Sequence, residues 1–124
     1  MNMSSLVFAA SLLLPSTIWA KAIGYDLRDE KQDGQTKVYS VSYEVWSEDA
    51  EAKELRAVPS SESANIKVLS KAKTWRNVPK GQHQKIEIAA RNASHETGTL
   101  VLEIIRKSAD RTDRQKISIQ VAPQ

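Results

Sequence analysis

The chain has 124 residues with 18 Lys+Arg, 15 Asp+Glu, a net charge of +3 and no cysteine. That length admits one domain, and the missing cysteine excludes disulfide staples, thiolate metal sites and a lipid anchor on a cysteine. The small net charge says little by itself, since mixed surface charge mostly maintains solubility.

Residues Met1 to Ala20 carry no Lys, Arg, Asp or Glu, and Leu6 to Leu14 are apolar apart from Ser11. A run this short cannot cross ~30 Å of hydrocarbon, which takes about 20 apolar residues. Pro15 and Ser16 break it, and small residues follow. The pattern predicts a cleaved export signal over residues 1–22 and an exported β-domain over residues 23–124. Two cuts are readable, after Ala20 or after Ala22, and Ala20-Lys21-Ala22 fits the small-x-small preference better. No second apolar stretch follows, so no membrane span is expected in the mature chain.

Downstream, the dominant period is two. Ile23, Tyr25 and Leu27 alternate as a first strand, and Asp33-Gly34 signals a turn. In "TKVYSVSYEVW" the apolar Tyr39, Val41, Tyr43 and Val45 interleave with Ser40, Ser42 and Glu44, which places the apolar set on one strand face. The composition of "SEDAEAKELRA" favours a turn or two of helix over Ser47 to Ala57, capped by Ser47, before a short strand near Leu55 to Val58. "NIKVLSKAKTW" reads as one strand, with Ile66, Val68, Ser70 and Ala72 on one side. Lys67, Leu69, Lys71, Lys73 and Trp75 fall on the other. Pro79 and Gly81 mark a turn, and "QKIEIAARN" turns Ile86, Ile88 and Ala90 inward. "TLVLEIIR" is apolar on both faces and reads as the most enclosed strand. After the charged loop "KSADRTDR", "QKISIQVAP" closes the domain with Ile117, Ile119 and Val121 inward. About seven short strands predict an all-β protein, a single antiparallel sandwich of two sheets.

The succession "VPKGQHQKIEIAARN", "GTLVLEIIR", "QKISIQVAP" resembles the later strands of bacterial immunoglobulin-like domains, over roughly residues 75–123. The resemblance is one of turns and alternation. It implies an immunoglobulin-like fold of the kind found in periplasmic pilus chaperones, adhesion proteins and envelope assemblies.

Chemistry-bearing residues are sparse. His83 and His95 flank one strand, so they stand too far apart to share a metal. No nucleophile elbow, phosphate loop or dinucleotide fingerprint is present, and the crowded carboxylates are interspersed with Arg28, Lys31 and Lys53. The expectation is a non-catalytic protein without metal or cofactor. Asn92-Ala93-Ser94 matches a glycosylation acceptor, relevant to a eukaryotic secretory route.

Binding candidates are richer. Lys67, Lys71 and Lys73 line one strand face ending at Trp75, and Lys85, Arg91 and Lys116 also point outward. On neighbouring strands these would form a basic face with an aromatic at its edge, suited to anionic polysaccharide or lipopolysaccharide. They equally suit a solvated face that discourages strand aggregation. Trp46 lies on the polar side of its strand. It is either a partner contact or a plug tucked beneath the Ser47–Ala57 segment.

These features favour an exported, periplasmic or secreted interaction or accessory module of the cell envelope. Its expected partner is another envelope or secreted protein, or alternatively an anionic glycan. A small secreted enzyme inhibitor is a third reading. Aromatic interleaving is too thin for a nucleic-acid platform.

Overall fold

A computed structural model of the protein describes residues 7–11, 18–29, 37–92 and 94–122. All its regular elements are strands: β1 (Val7–Ser11), β2 (Ile18–Asp29), β3 (Lys37–Ser47), β4 (Ala52–Ser61) and β5 (Ile66–Val68), then β6 (Lys73–Val78), β7 (Gln84–Asn92), β8 (Gly98–Lys107) and β9 (Thr112–Val121). They form a five-stranded sheet in the order β1-β9-β8-β4-β6 and a four-stranded sheet in the order β2-β3-β7-β5. Every pairing is antiparallel.

One core joins the sheets, as in a β-sandwich. Tyr39, Val41, Tyr43 and Val45 of β3 and Ile86, Ile88 and Ala90 of β7 meet Leu55 and Ala57 of β4 and the inward rows of β8 and β9. The inward residues follow the predicted alternation in β3, β7, β8 and β9. β8 lies between β9 and β4; its inward Leu100, Leu102 and Ile104 are buried, and on its other face Val101 is buried while Ile105 is half-buried. The turn before β7 forms as expected: Gln82 N donates to the Pro79 carbonyl (3.1 Å), and Gly81 takes φ +78°.

Three local expectations are corrected. The predicted helix over Ser47 to Ala57 is a bend followed by strand β4. Ladders to β6 on one side and β8 on the other, with Ala52, Leu55 and Ala57 at 0 % exposure, override a short segment's helical propensity. Ser47 caps no helix: its Oγ donates to the Ala50 carbonyl at 2.6 Å.

"NIKVLSKAKTW" is two strands in different sheets. β5 pairs with β7 and β6 pairs with β4, so the chain crosses the sandwich over residues 69–72. Leu69 N still bonds the Ala89 carbonyl (2.8 Å), and Ser70 Oγ accepts from Ala89 N (2.6 Å) and donates to the Glu87 carbonyl (3.2 Å). A side chain thus replaces the last rung before the backbone departs, and Ala72, expected inward, is exposed.

The first strand of the four-stranded sheet starts at Ile18 instead of Ile23. Ile18 is buried in the core, and the register shifts between Ala22 and Gly24. Ala20 and Ala22, the two candidate cleavage positions, pair with Val45 and Tyr43. Val7–Ser11, inside the apolar run, pairs with β9. The rest of that run, Leu6 and residues 12–14, the breaking Pro15 and Ser16, and the Asp33-Gly34 turn lie outside the described residues.

Candidate binding surfaces

Directly opposed residues in an antiparallel sheet share a face, so register places the surface groups. On the outer face of the four-stranded sheet, Trp46 of β3 stands opposite Trp19 of β2, with ring centroids 6.4 Å apart and planes 12° from parallel. His83 covers the other side of Trp46, its ring centroid 3.9 Å away at 11°. Two carboxylates fix this stack. Trp46 Nε1 donates to Glu48 Oε1 (2.8 Å), and His83 Nδ1 lies 3.2 Å from Glu44 Oε1. Trp46 therefore touches the Ser47–Ala57 segment through Glu48 while its rings lie in a surface stack, half-buried. His83, in the loop before β7, is exposed and stacked on Trp46 beside the Glu44 carboxylate, and His95, beyond the other end of β7, is exposed as well.

The cations singled out from sequence do not share one face. Lys67 of β5 stands opposite Arg91 of β7, and Lys85 of β7 stands opposite Glu44, all in the four-stranded sheet. Lys71 lies in the crossing between the sheets. Lys73 and Trp75 belong to β6 in the other sheet. There the Lys73 ammonium sits 5.8 Å from the Trp75 ring centre, and the half-buried indole packs on the core. Lys116 is on β9, separated from β6 by β8 and β4.

Register assembles a different basic face, on the outside of the five-stranded sheet. Glu54 of β4 lies between Arg76 of β6 and Lys107 of β8. One rung along, Arg56 lies between Thr74 and Ile105, and Ile105 faces Arg114 of β9. In the next rung Val58 faces Glu103, which faces Lys116. Arg56, Arg76, Lys107, Arg114 and Lys116 are all exposed. Two carboxylates balance them, through contacts of 3.9 Å (Arg76–Glu54), 3.4 Å (Lys107–Glu54) and 3.3 Å (Arg114–Glu103). Five cations against two anions leave this face positive.

No local sequence pattern announces the ion network at one end of the sandwich. Arg106, on β8, has a side chain with 0 % exposure. Its guanidinium pairs with Asp49 and Asp113, and Nη1 donates to Ser47 Oγ at 2.9 Å. Arg111 completes the ring, reaching Asp49 (3.2 Å) and Asp113 (3.1 Å). Burial pulls the Arg106 pKa down, but the hydrogen bonds it donates to Asp49 and Asp113 outweigh this and hold the group above its ordinary value. The hydrogen bond from Arg106 holds the Asp49 carboxyl below its ordinary 3.8. Beside the ring, Ala50, Glu51, Lys53, Arg106, Ser108, Ala109, Asp110 and Arg111 line a cleft of about 400 Å3. Of its cations, Arg106 and Arg111 are both paired with Asp49 and Asp113.

Asn92, the sequon asparagine, has 0 % exposure. Its amide donates to the carbonyls of Glu96 (2.9 Å) and Ala122 (3.2 Å), and its oxygen accepts from Asn65 Nδ2 (3.1 Å) and Ser94 N (3.0 Å). The Asn-x-Ser pattern here ties the β7–β8 loop to the last strand. Among the described residues no group of three or more His, Asp or Glu is placed to hold a metal ion, and no helix is long and apolar enough to cross a membrane. No protein-family model matches this chain, and no curated protein matches it.

Proposed function

We propose that the chain is an exported, non-catalytic interaction module of the cell envelope, built on an immunoglobulin-like sandwich. The strand order supports the fold. In such domains strands A, B, E and D form one sheet and C, F and G the other. β2, β3, β7 and β5 stand in the first order, and β4, β8 and β9 in the second. β6 extends the second sheet beside β4, but follows β5 in the chain where variable-type domains place the extra strand before D.

Export rests on the uncharged apolar leader and the two small-residue cuts. Both candidate scissile bonds lie in the β2–β3 ladder, so processing precedes that pairing. A cut after Ala22 removes Trp19 and uncovers one face of Trp46.

The observation that carries the interaction reading is the Trp46–His83 stack, pinned by Glu48 and Glu44 and lying wholly within residues 23–124. Half-buried Trp46 stacked on exposed His83 is a preorganised surface pair that contributes contact area at little entropic cost, which is the character of an interface hot spot. Two measurements test the proposal. Mass spectrometry of the chain from the periplasm should find a new amino terminus at Lys21 or Ile23; retention of Met1 in the cytoplasm refutes export. A photo-crosslinker at position 46 should give one discrete adduct in cells, whereas the same probe at the exposed Thr97 of the β7–β8 loop should give none. Equal labelling at both positions refutes the Trp46 surface.

A further inference from the structure

We infer that the outer face of the five-stranded sheet binds an anionic polysaccharide. This inference rests on the export reading, which brings the chain among envelope glycans. Its cations come from four adjacent strands and hold fixed positions. Arg76 and Lys107 flank Glu54 in one rung, Arg56 and Arg114 stand in the next, and Lys116 lies in the third. Strands lie about 4.8 Å apart and same-face residues along a strand about 7 Å apart, so the five charges sit on a lattice a few ångströms in pitch.

Glu54 is shared by Arg76 and Lys107, while Glu103 takes Arg114 and faces Lys116. Arg56 has Thr74 and Ile105 as its cross-strand neighbours, so neither ladder opposes it with a carboxylate. The surplus positive charge therefore centres on Arg56, beside the half-buried Ile105 and Val58. A flat, rigid face of this kind suits a polymer that presents carboxylates or sulfates at intervals and lays its less polar ring faces on the apolar strip. A compact anion would engage one arginine and leave the other charges unused. Charge complementarity with a periodic polyanion is what selects the glycan. The four-stranded sheet does not offer the same field: Lys85 faces Glu44, and Glu44 also holds His83.

The test uses the full chain and polygalacturonate, with neutral dextran as the control polymer, followed by isothermal titration at low salt. Polygalacturonate should bind and dextran should not. In about 1 M salt, where the screening length is about 3 Å, binding should disappear. Reversal of Arg56→Glu with Lys116→Glu should weaken binding about tenfold or more. Lys67→Glu with Lys85→Glu, the same charge change on the other sheet, should alter it less than about twofold. The neutral pair Arg56→Gln and Lys116→Gln, with circular dichroism of each variant, separates misfolding from lost charge.

Equal weakening by both reversals, or no preference for polygalacturonate over dextran, overturns the inference. Stronger competition by polyglutamate than by polygalacturonate assigns the face to an acidic protein and also overturns it. The crosslink from position 46 in the Arg56/Lys116 variant reports the interaction module separately. In the chain that keeps Arg56 and Lys116, absence of the position-46 adduct alongside intact polygalacturonate binding counts against the module and leaves the glycan face standing.

Discussion

The Arg106 ring predicts an asymmetry between its two signs of charge. Arg106 is fully buried, whereas the side chains of Asp49 and Asp113 are 42 % and 29 % exposed. Replacing both aspartates, as Asp49→Ala with Asp113→Ala, leaves the guanidinium in the interior with Ser47 Oγ as the partner remaining from this ring. Stranding a buried charge in this way costs about 3–5 kcal/mol. Arg106→Met removes the buried charge and fills most of its volume, and the two carboxylates it leaves reach solvent and keep Arg111. That variant should lose less than about half as much, because replacing a buried ion by an apolar group is often close to neutral. Urea denaturation at pH 7 with a common slope reads both values. The thermal midpoints should separate by roughly 4 °C for each kcal/mol. If Arg106→Met is as damaging as the double aspartate variant, burial of the guanidinium is not what sets the cost, and the reasoning fails.

The same ring makes stability depend on acid. Asp49 has a pKa lowered by the Arg106 hydrogen bond, so its contribution is present above the ordinary value of 3.8 and is lost as pH falls through the lower folded value. Asp49→Asn should flatten the acid limb of the stability curve, and an unchanged limb in a pH series of urea melts contradicts this. Tyr43 has 1 % exposure and a hydroxyl without a hydrogen-bond partner among the described residues, and burial pushes its pKa up to about 12. Tyr43→Phe should therefore leave stability unchanged or raise it by about 1 kcal/mol; a loss of that size would reveal a bond to the hydroxyl. A Cβ on Gly98 would lie 2.3 Å from Ile66 Cγ1 and 2.6 Å from Cδ1. Gly98→Ala should cost about 1–3 kcal/mol, and Ile66→Ala in the same chain should recover part of that overlap in a double-mutant cycle. Expressed through a eukaryotic secretory pathway, the folded chain should carry no glycan on Asn92, and mass spectrometry checks this directly.

Strands β3, β7, β8 and β9 were legible because each buries one face and alternates without a break. Alternation cannot reveal where a strand changes sheets, which is why Lys67 and Lys73 looked like neighbours on one face. The substitution of Ser70 Oγ for a ladder rung leaves the period intact while the backbone turns away. The segment over Ser47 to Ala57 misled for a different reason. Its Ala, Glu, Lys and Leu content reports local preference, while two flanking ladders and the burial of Leu55 decide the outcome. The Arg106 ring joins groups 57 and 7 residues apart in sequence, and no local pattern announces such a closure.

The charge asymmetry along the chain becomes interpretable once the register is known. Residues 23–62 carry ten acidic and five basic groups, and residues 63–124 carry five acidic and twelve basic groups. The four-stranded sheet draws β2 and β3 from the acidic half and β7 and β5 from the basic half. Its outer face consequently mixes signs, with Lys85 opposite Glu44. In the five-stranded sheet β6, β8 and β9 all come from the basic half, and β4 alone among the four strands of that face comes from the acidic half. Even β4 contributes Arg56 to its centre, between Thr74 and Ile105. Sequence polarity therefore survives folding on one sheet and cancels on the other. For this reason reversing Arg56 and Lys116 tests the positive face, and reversing Lys67 and Lys85 is its control.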